Sequence, residues 1–254
     1  MGILPARTSP REKTKTQRQI NQMIPPEDDF DIAKFCGLEA GKMLSYAYQS
    51  VCEGKQIIEY NYNPLDYHNL SIELASKRQN EFQFCIKAVI LFQASMEAII
   101  NQAITTKSDI QELIEVKSNK KKKPTFQDKW EKTLGKYKIE LENFKEYHEN
   151  IYRNLRNNVV HPDNRYSVKN AEKFIFSNVY SGFKNGWLAF ASLSQAVGYP
   201  HDNNSWDIYC DICHLPKSVN PEEYPNLTEK SYFFLNEYMN HIATINNIRI
   251  ETSL

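Results

Sequence analysis

The stretch RQNEFQFCIKAVILFQASMEAIINQAIT, Arg78 to Thr105, decides the fold of this chain. It is apolar almost all round, holds neither Gly nor Pro, and is long enough for about seven helical turns, so it predicts a central helix that other helices must surround. A bilayer span is the competing reading of so apolar a run. Lys87 and Glu97 divide it into charge-free runs of nine residues, against the ~20 that a bilayer requires, so no membrane is expected.

Working outward, Asp28, Asp29 and Asp31 supply helix-start signals, and Phe35, Leu38, Met43, Leu44, Ala47 and Val51 recur at three- and four-residue intervals. They predict an amphipathic helix from Phe30 to Cys52, followed by a loop from Glu53 to Leu70 around NYNPLDYHN. Downstream, Asp109 to Val116 extends or follows the central helix, and Ser118 to Pro124 (SNKKKKP) cannot pack and reads as a solvated loop. Helices are predicted over Gln127–Lys136, Leu141–Val160, which Pro162 stops, and Val168–Val197, which Gly198 and Pro200 end. Within the last, Gly182 and Gly186 mark close packing or a kink. His201 to Leu227 reads as a long acidic loop insertion with a short hairpin near Trp206 to Ile212, and Thr228 to Ile248 as a final helix packing on the bundle. Residues 1 to 28 are polar, basic and Pro-bounded, a disordered tail. The expectation is an all-α antiparallel bundle over residues 29–200, with the 201–227 insertion and a C-terminal helix in 228–254.

Composition agrees. Eight glycines in 254 residues, against a usual ~7%, disfavour glycine-rich phosphate loops, Rossmann turns and turn-dense sandwiches. Lys+Arg and Asp+Glu both number 31, but the balance is a sum over unlike blocks. Residues 117–138 carry nine basic and two acidic side chains, and residues 201–229 carry six acids and one lysine. A globally basic nucleic-acid binder is therefore excluded, while a locally basic surface is not. Five scattered cysteines and an opening stretch without an apolar leader point to a reducing, cytoplasmic setting.

Chemistry concentrates in IYRNLRNNVVHPD, Ile151 to Asp163. Arg156, Asn157 and His161 fall just before a helix-breaking proline. On an ideal α-helix five residues advance by ~500°, which leaves Arg156 and His161 about 140° apart. Pro162 disfavours helical backbone at His161, so either the long arginine side chain folds toward an unwound His161, or a second copy supplies the other group. The negative end of a helix favours a protonated imidazole. Imidazolium beside guanidinium suits phosphodiester cleavage, where the phosphate gains charge and the departing 5′ oxygen takes a proton. No metal or cofactor is needed.

RNNVVH resembles the Arg-polar-x-x-x-His signature of HEPN domains (higher eukaryote and prokaryote nucleotide-binding), with Arg156 and His161 enclosing Asn157, Asn158, Val159 and Val160. LFQASMEAIINQAI, Leu91 to Ile104, is similar to the family's earlier core helix, with its small-acidic-small centre at Ser95, Glu97 and Ala98. The resemblance covers residues 30 to 195. It implies a homodimer whose two Arg/His pairs face one groove, and commonly an endoribonuclease that leaves a 2′,3′-cyclic phosphate by attack of the ribose 2′-hydroxyl. RNA is the implied substrate. Many such proteins are toxins with an antitoxin partner or antiphage defence effectors, and others are silent modules that bind a partner protein or nucleotide.

The implied catalytic set is Arg156, His161 and Asn157. His68, His148 and His241 read as structural histidines. Glu97, on a nearly apolar helix, needs a partner such as Arg156, Arg153 or a backbone group. Tyr147, Tyr152 and Tyr166 flank the motif as core aromatics or as stacking surfaces. Cys210 and Cys213 in YCDICH have metal-knuckle spacing, but one CxxC falls short of four zinc ligands, so no metal is expected. No nucleophile elbow, Walker loop or HExxH occurs.

Overall fold

The computed structural model describes residues 31–60, 67–117, 123–160, 173–199 and 205–219. The chain divides into two units, Met1–Asp31 and Ile32–Leu254, and the helices below all belong to the second. The predicted basic tail, the Lys120–Lys122 part of the basic loop, His161 and the predicted final helix lie outside the described residues.

The elements are α1 (Ile32–Tyr60), α2 (Tyr67–Thr106), α3 (Ser108–Lys117), α4 (Phe126–Lys136), α5 (Glu142–Tyr147), a π-helical stretch (His148–Arg156) running into α6 (Asn157–Val160), α7 (Phe176–Val197) and α8 (Trp206–Cys213). No strand occurs among the described residues, so the protein is all-α there. The central helix is longer than its apolar run predicts, and the preceding loop is correspondingly shorter. α1 continues eight residues past Cys52 to Tyr60, and α2 already starts at Tyr67.

The pairings of α1 with α2 give their direction. Ala33 accepts from Ser95 Oγ (2.6 Å), Tyr46 meets Phe84, and Glu53 pairs with Lys77 (2.8 Å), so rising numbers on one helix face falling numbers on the other. The two are antiparallel. α7 runs parallel to α2, with Phe174 on Phe82 and Phe183 stacked on Phe92 at 4.2 Å. The α5 and π-helical segment runs antiparallel to α7: Tyr147 lies against Gly186 and Ile151 against Gly182. Both glycines are close-packing positions. A Cβ at Gly186 would come within 2.5 Å of Phe92 Cε1 and 2.6 Å of Tyr147 Cδ2, and one at Gly182 would collide with Ile151.

By length and composition, Ile72–Thr106 of α2 could cross a membrane, yet half of its most apolar window is buried within the bundle. Phe92, Met96, Ile99, Ile100 and Ala103 are sealed in the core, which accounts for the apolarity. Two helix ends carry local caps. Thr125 and Asp128 form a reciprocal capping box at α4, and Gly198 adopts φ 73° to end α7, a conformation that costs glycine little. The start of α7 is capped from elsewhere. Ile175 offers no side-chain acceptor, and the Phe176 N–H donates instead to Glu81 of α2 (2.7 Å), which is itself ion-paired with Arg78 (2.8 Å).

Three further sequence expectations require correction. α7 begins at Phe176 rather than Val168: residues 173–175 are non-helical, and 168–172 lie outside the described residues. The 201–227 insertion is not loop throughout, and the expected hairpin at 206–212 is the helix α8, started by Ser205 accepting from the Ile208 N–H (3.2 Å). Trp206, Tyr209, Cys210 and Cys213 recur at helical spacing and are buried. The third concerns Leu141–Val160, whose backbone is helical but α-helical only at its two ends.

Candidate functional site

The site lies where α5 loosens. From His148 to Arg156 the backbone winds in wider turns, and the Asn157 N–H donates back five residues to the Tyr152 carbonyl. Such turns are rare and concentrate at functional sites. The inner face of the stretch is fixed by buried His148, Ile151 and Leu155, while Glu149, Asn150, Arg153 and Asn154 face solvent. Tyr152 and Arg156 sit half-buried at the border between the two.

That border carries a ladder of rings, stacked near-parallel at both ends and tilted by 35° where Phe144 meets His148. Trp130 and Phe144, both sealed from solvent, stack at 5.2 Å and 12°. Phe144 adjoins His148 (5.8 Å), which stacks on Tyr152 at 5.0 Å and 18°. Phe126 stacks on Tyr152 at 4.9 Å. The Arg156 guanidinium then lies 5.2 Å from the centre of the Tyr152 ring, a cation over the negative face of a π-system. The ladder thus runs from the core to the surface and ends on Arg156.

A second set of contacts holds the site from beneath. Tyr147 donates to Gln93 Oε1 (2.6 Å), and Gln93 Nε2 donates to Glu97 (2.8 Å), linking the segment to α2. Burial pushes the Tyr147 phenol well above its ordinary range; the Glu97 charge raises it further, and Arg156 works against both. The Tyr147 hydroxyl therefore feels an acid and a guanidinium together. Burial also lowers the His148 imidazole below its usual value, with the Arg153 charge assisting. His148 is a neutral packing group, in keeping with its reading as structural.

Of the three predicted catalytic residues, Arg156 and Asn157 come together: Arg156 Nη1 donates to Asn157 Oδ1 at 3.1 Å. His161 lies outside the described residues. Glu97 takes Gln93 as its hydrogen-bond partner, and Arg153 pairs with Glu149 at 2.9 Å, so neither of the arginines proposed for Glu97 is bound to it. Sequence reasoning missed the stacked ladder and Gln93. The signal for the ladder was the four-residue spacing of His148, Tyr152 and Arg156, which reads as one stripe of an ordinary helix.

Cys210 and Cys213 are free thiols packed inside the bundle. Burial pushes them up to about 11 and about 12, and a Cβ at Gly41 would strike the Cys213 sulfur. His214, next in sequence, turns into left-handed backbone (φ 55°), where its carbonyl accepts from Ser45 Oγ (3.1 Å). Among the described residues no three His, Cys, Asp or Glu side chains gather to hold a metal. In comparisons with protein families, curated proteins and solved structures, the chain matches none of them.

Proposed function

We propose that this protein is a metal-independent endoribonuclease of the HEPN type that acts as a cytoplasmic homodimer on RNA. The observation that carries the reading is the Arg156–Asn157 pair: a half-buried guanidinium held by a neutral amide and a neutral ring, five residues before His161 in the chain. With no carboxylate bound to it among the described residues, Arg156 keeps its positive charge for an anion.

The chemistry follows from the groups. The ribose 2′-oxygen attacks the adjacent phosphorus, the bond to the 5′ oxygen breaks, and a 2′,3′-cyclic phosphate and a 5′-hydroxyl remain. One imidazole takes the 2′-hydroxyl proton, and a protonated imidazole gives one to the departing oxygen, so a dimer with two copies of His161 balances the protons. Arg156 stabilises charge on the non-bridging oxygens. Asn157, whose carbonyl oxygen is engaged by Arg156, keeps its amide hydrogens for the phosphate. An antitoxin or another defence-system protein is the proposed partner.

Incubating the purified protein with labelled RNA in EDTA tests the reading. Cleavage that yields cyclic phosphate ends, and is lost in His161→Ala and Arg156→Ala, is the expected result. A wild-type dimer that leaves all RNA intact would overturn it in favour of a silent helical module binding a partner protein or nucleotide.

A further inference from the structure

Beyond the cleavage residues, the ring ladder has a geometry that core packing alone does not require. Its inner members, Trp130 and Phe144, are fully buried, as packing aromatics should be. Its outer members, Phe126, Tyr152 and Arg156, are each only partly buried, and the two rings stack within 18° of parallel. The last member is a guanidinium, which offers two different surfaces: edges that donate to phosphate, and a flat face that stacks. Phe126 opens α4, three residues after the exposed Lys123, within the 117–138 block of nine basic and two acidic residues. Planar groups interleaved with cations are what a single strand of nucleic acid recognises, whereas the bases of a duplex are already stacked on each other.

We propose that the Phe126–Tyr152–Arg156 end of this ladder is a nucleobase-stacking subsite for single-stranded RNA. A base next to the scissile linkage stacks on the outer face of the ladder while Lys123 takes a neighbouring phosphate. The proposal rests on the ribonuclease reading for its substrate class, and it deepens that reading by naming the strand state and the residues that grip it. Tyr152 is a positioning and binding residue here, since the phosphate chemistry belongs to others.

The test uses a 2′-O-methyl oligonucleotide, which cannot be cleaved by 2′-hydroxyl attack, carrying 2-aminopurine as a stacking reporter. Wild-type protein quenches the reporter and binds the single strand more tightly than the same sequence in a duplex. Tyr152→Leu removes the ring that holds Arg156 flat for the base and weakens binding about tenfold, while Tyr152→Phe, which keeps the ring, binds as wild type. Lys123→Gln reduces the dependence of log Kd on log salt by about 0.7, one phosphate contact on a single strand. An unquenched reporter, a preference for duplex, or equal binding by the folded Tyr152→Leu protein overturns the subsite. The two readings fail differently. Cleavage with no role for Tyr152 removes the subsite alone, and Tyr152-dependent binding without any cleavage removes the nuclease alone.

Discussion

Arg78 and Arg156 are two arginines on helices of one bundle, and their surroundings give them opposite work. Arg78 is 3% exposed; its Nη1 sits 2.8 Å from a Glu81 oxygen, and the other Glu81 oxygen accepts the Phe176 N–H at the start of α7. Its charge is neutralised on the spot. Arg156 is half-buried and held by an amide oxygen and an aromatic face, neither of which carries a countercharge. The difference teaches that exposure alone does not decide what a guanidinium does. A carboxylate partner turns it into a clamp, whereas neutral partners orient it and leave its charge available.

The contrast breaks most easily at Glu81. Glu81→Ala removes the carboxylate that balances the buried Arg78 charge and uncaps α7, so urea unfolding should report a loss of about 3 to 5 kcal/mol. Arg156→Ala should cost less than about 1 kcal/mol, as expected for a partly exposed side chain outside a buried ion pair. Equal losses would erase the distinction. A smaller effect is expected at the seam that fixes the Arg156 segment against α7. Gly182→Ala drives a methyl into Ile151 and should cost about 1 to 3 kcal/mol by overpacking. A neutral result there would mean that the π-helical segment can back away.

Tyr147→Phe removes the hydrogen bond to Gln93 and should lower stability by about 1 kcal/mol, read as a shift in unfolding midpoint. The smallest effect is a pH dependence. Because the folded His148 imidazole titrates below its unfolded value of about 6.5, the unfolded chain binds the proton more readily, and stability is lost as pH falls from neutral toward the folded value. His148→Phe keeps a ring in the ladder and should flatten that slope in melts at pH 5 to 7.5. An unchanged slope would assign the effect to another group.

How much of this was legible in the sequence depends on whether a feature is local. The core of α2 declares itself in a mostly apolar run without Gly or Pro, and the end of α7 in Gly198, because periodicity and backbone freedom act over a few residues. The α1–α2 connection is shorter than the sequence suggests: Asn61 to Asn69 is rich in turn-forming residues, yet Ile57 and its neighbours continue the helix and Lys77 reaches Glu53 across the hairpin. α8 is masked as a hairpin by the Pro and Asn around it, although Trp206, Tyr209, Cys210 and Cys213 keep helical spacing. At the site, the adjacency of Arg156 and Asn157 was legible from the motif. The ladder beneath them was not: Phe126 reaches Tyr152 from a different helix, and the unwinding from His148 to Arg156 has no single-residue signature. The cap that Glu81 places on α7 is likewise a contact across 95 residues, beyond any local pattern.

The wide winding between His148 and Arg156 also makes the direction of Arg156 a matter of counting. Each residue added to or removed from an ordinary helix rotates everything beyond it by ~100°. Drawn into ordinary turns at the same length, the eight steps from His148 to Arg156 would rotate Arg156 by more than a quarter turn relative to His148, and the stripe that joins core to surface would lose its line. The loosened turns act as a register setting, holding one guanidinium in line with rings that begin deep inside the protein.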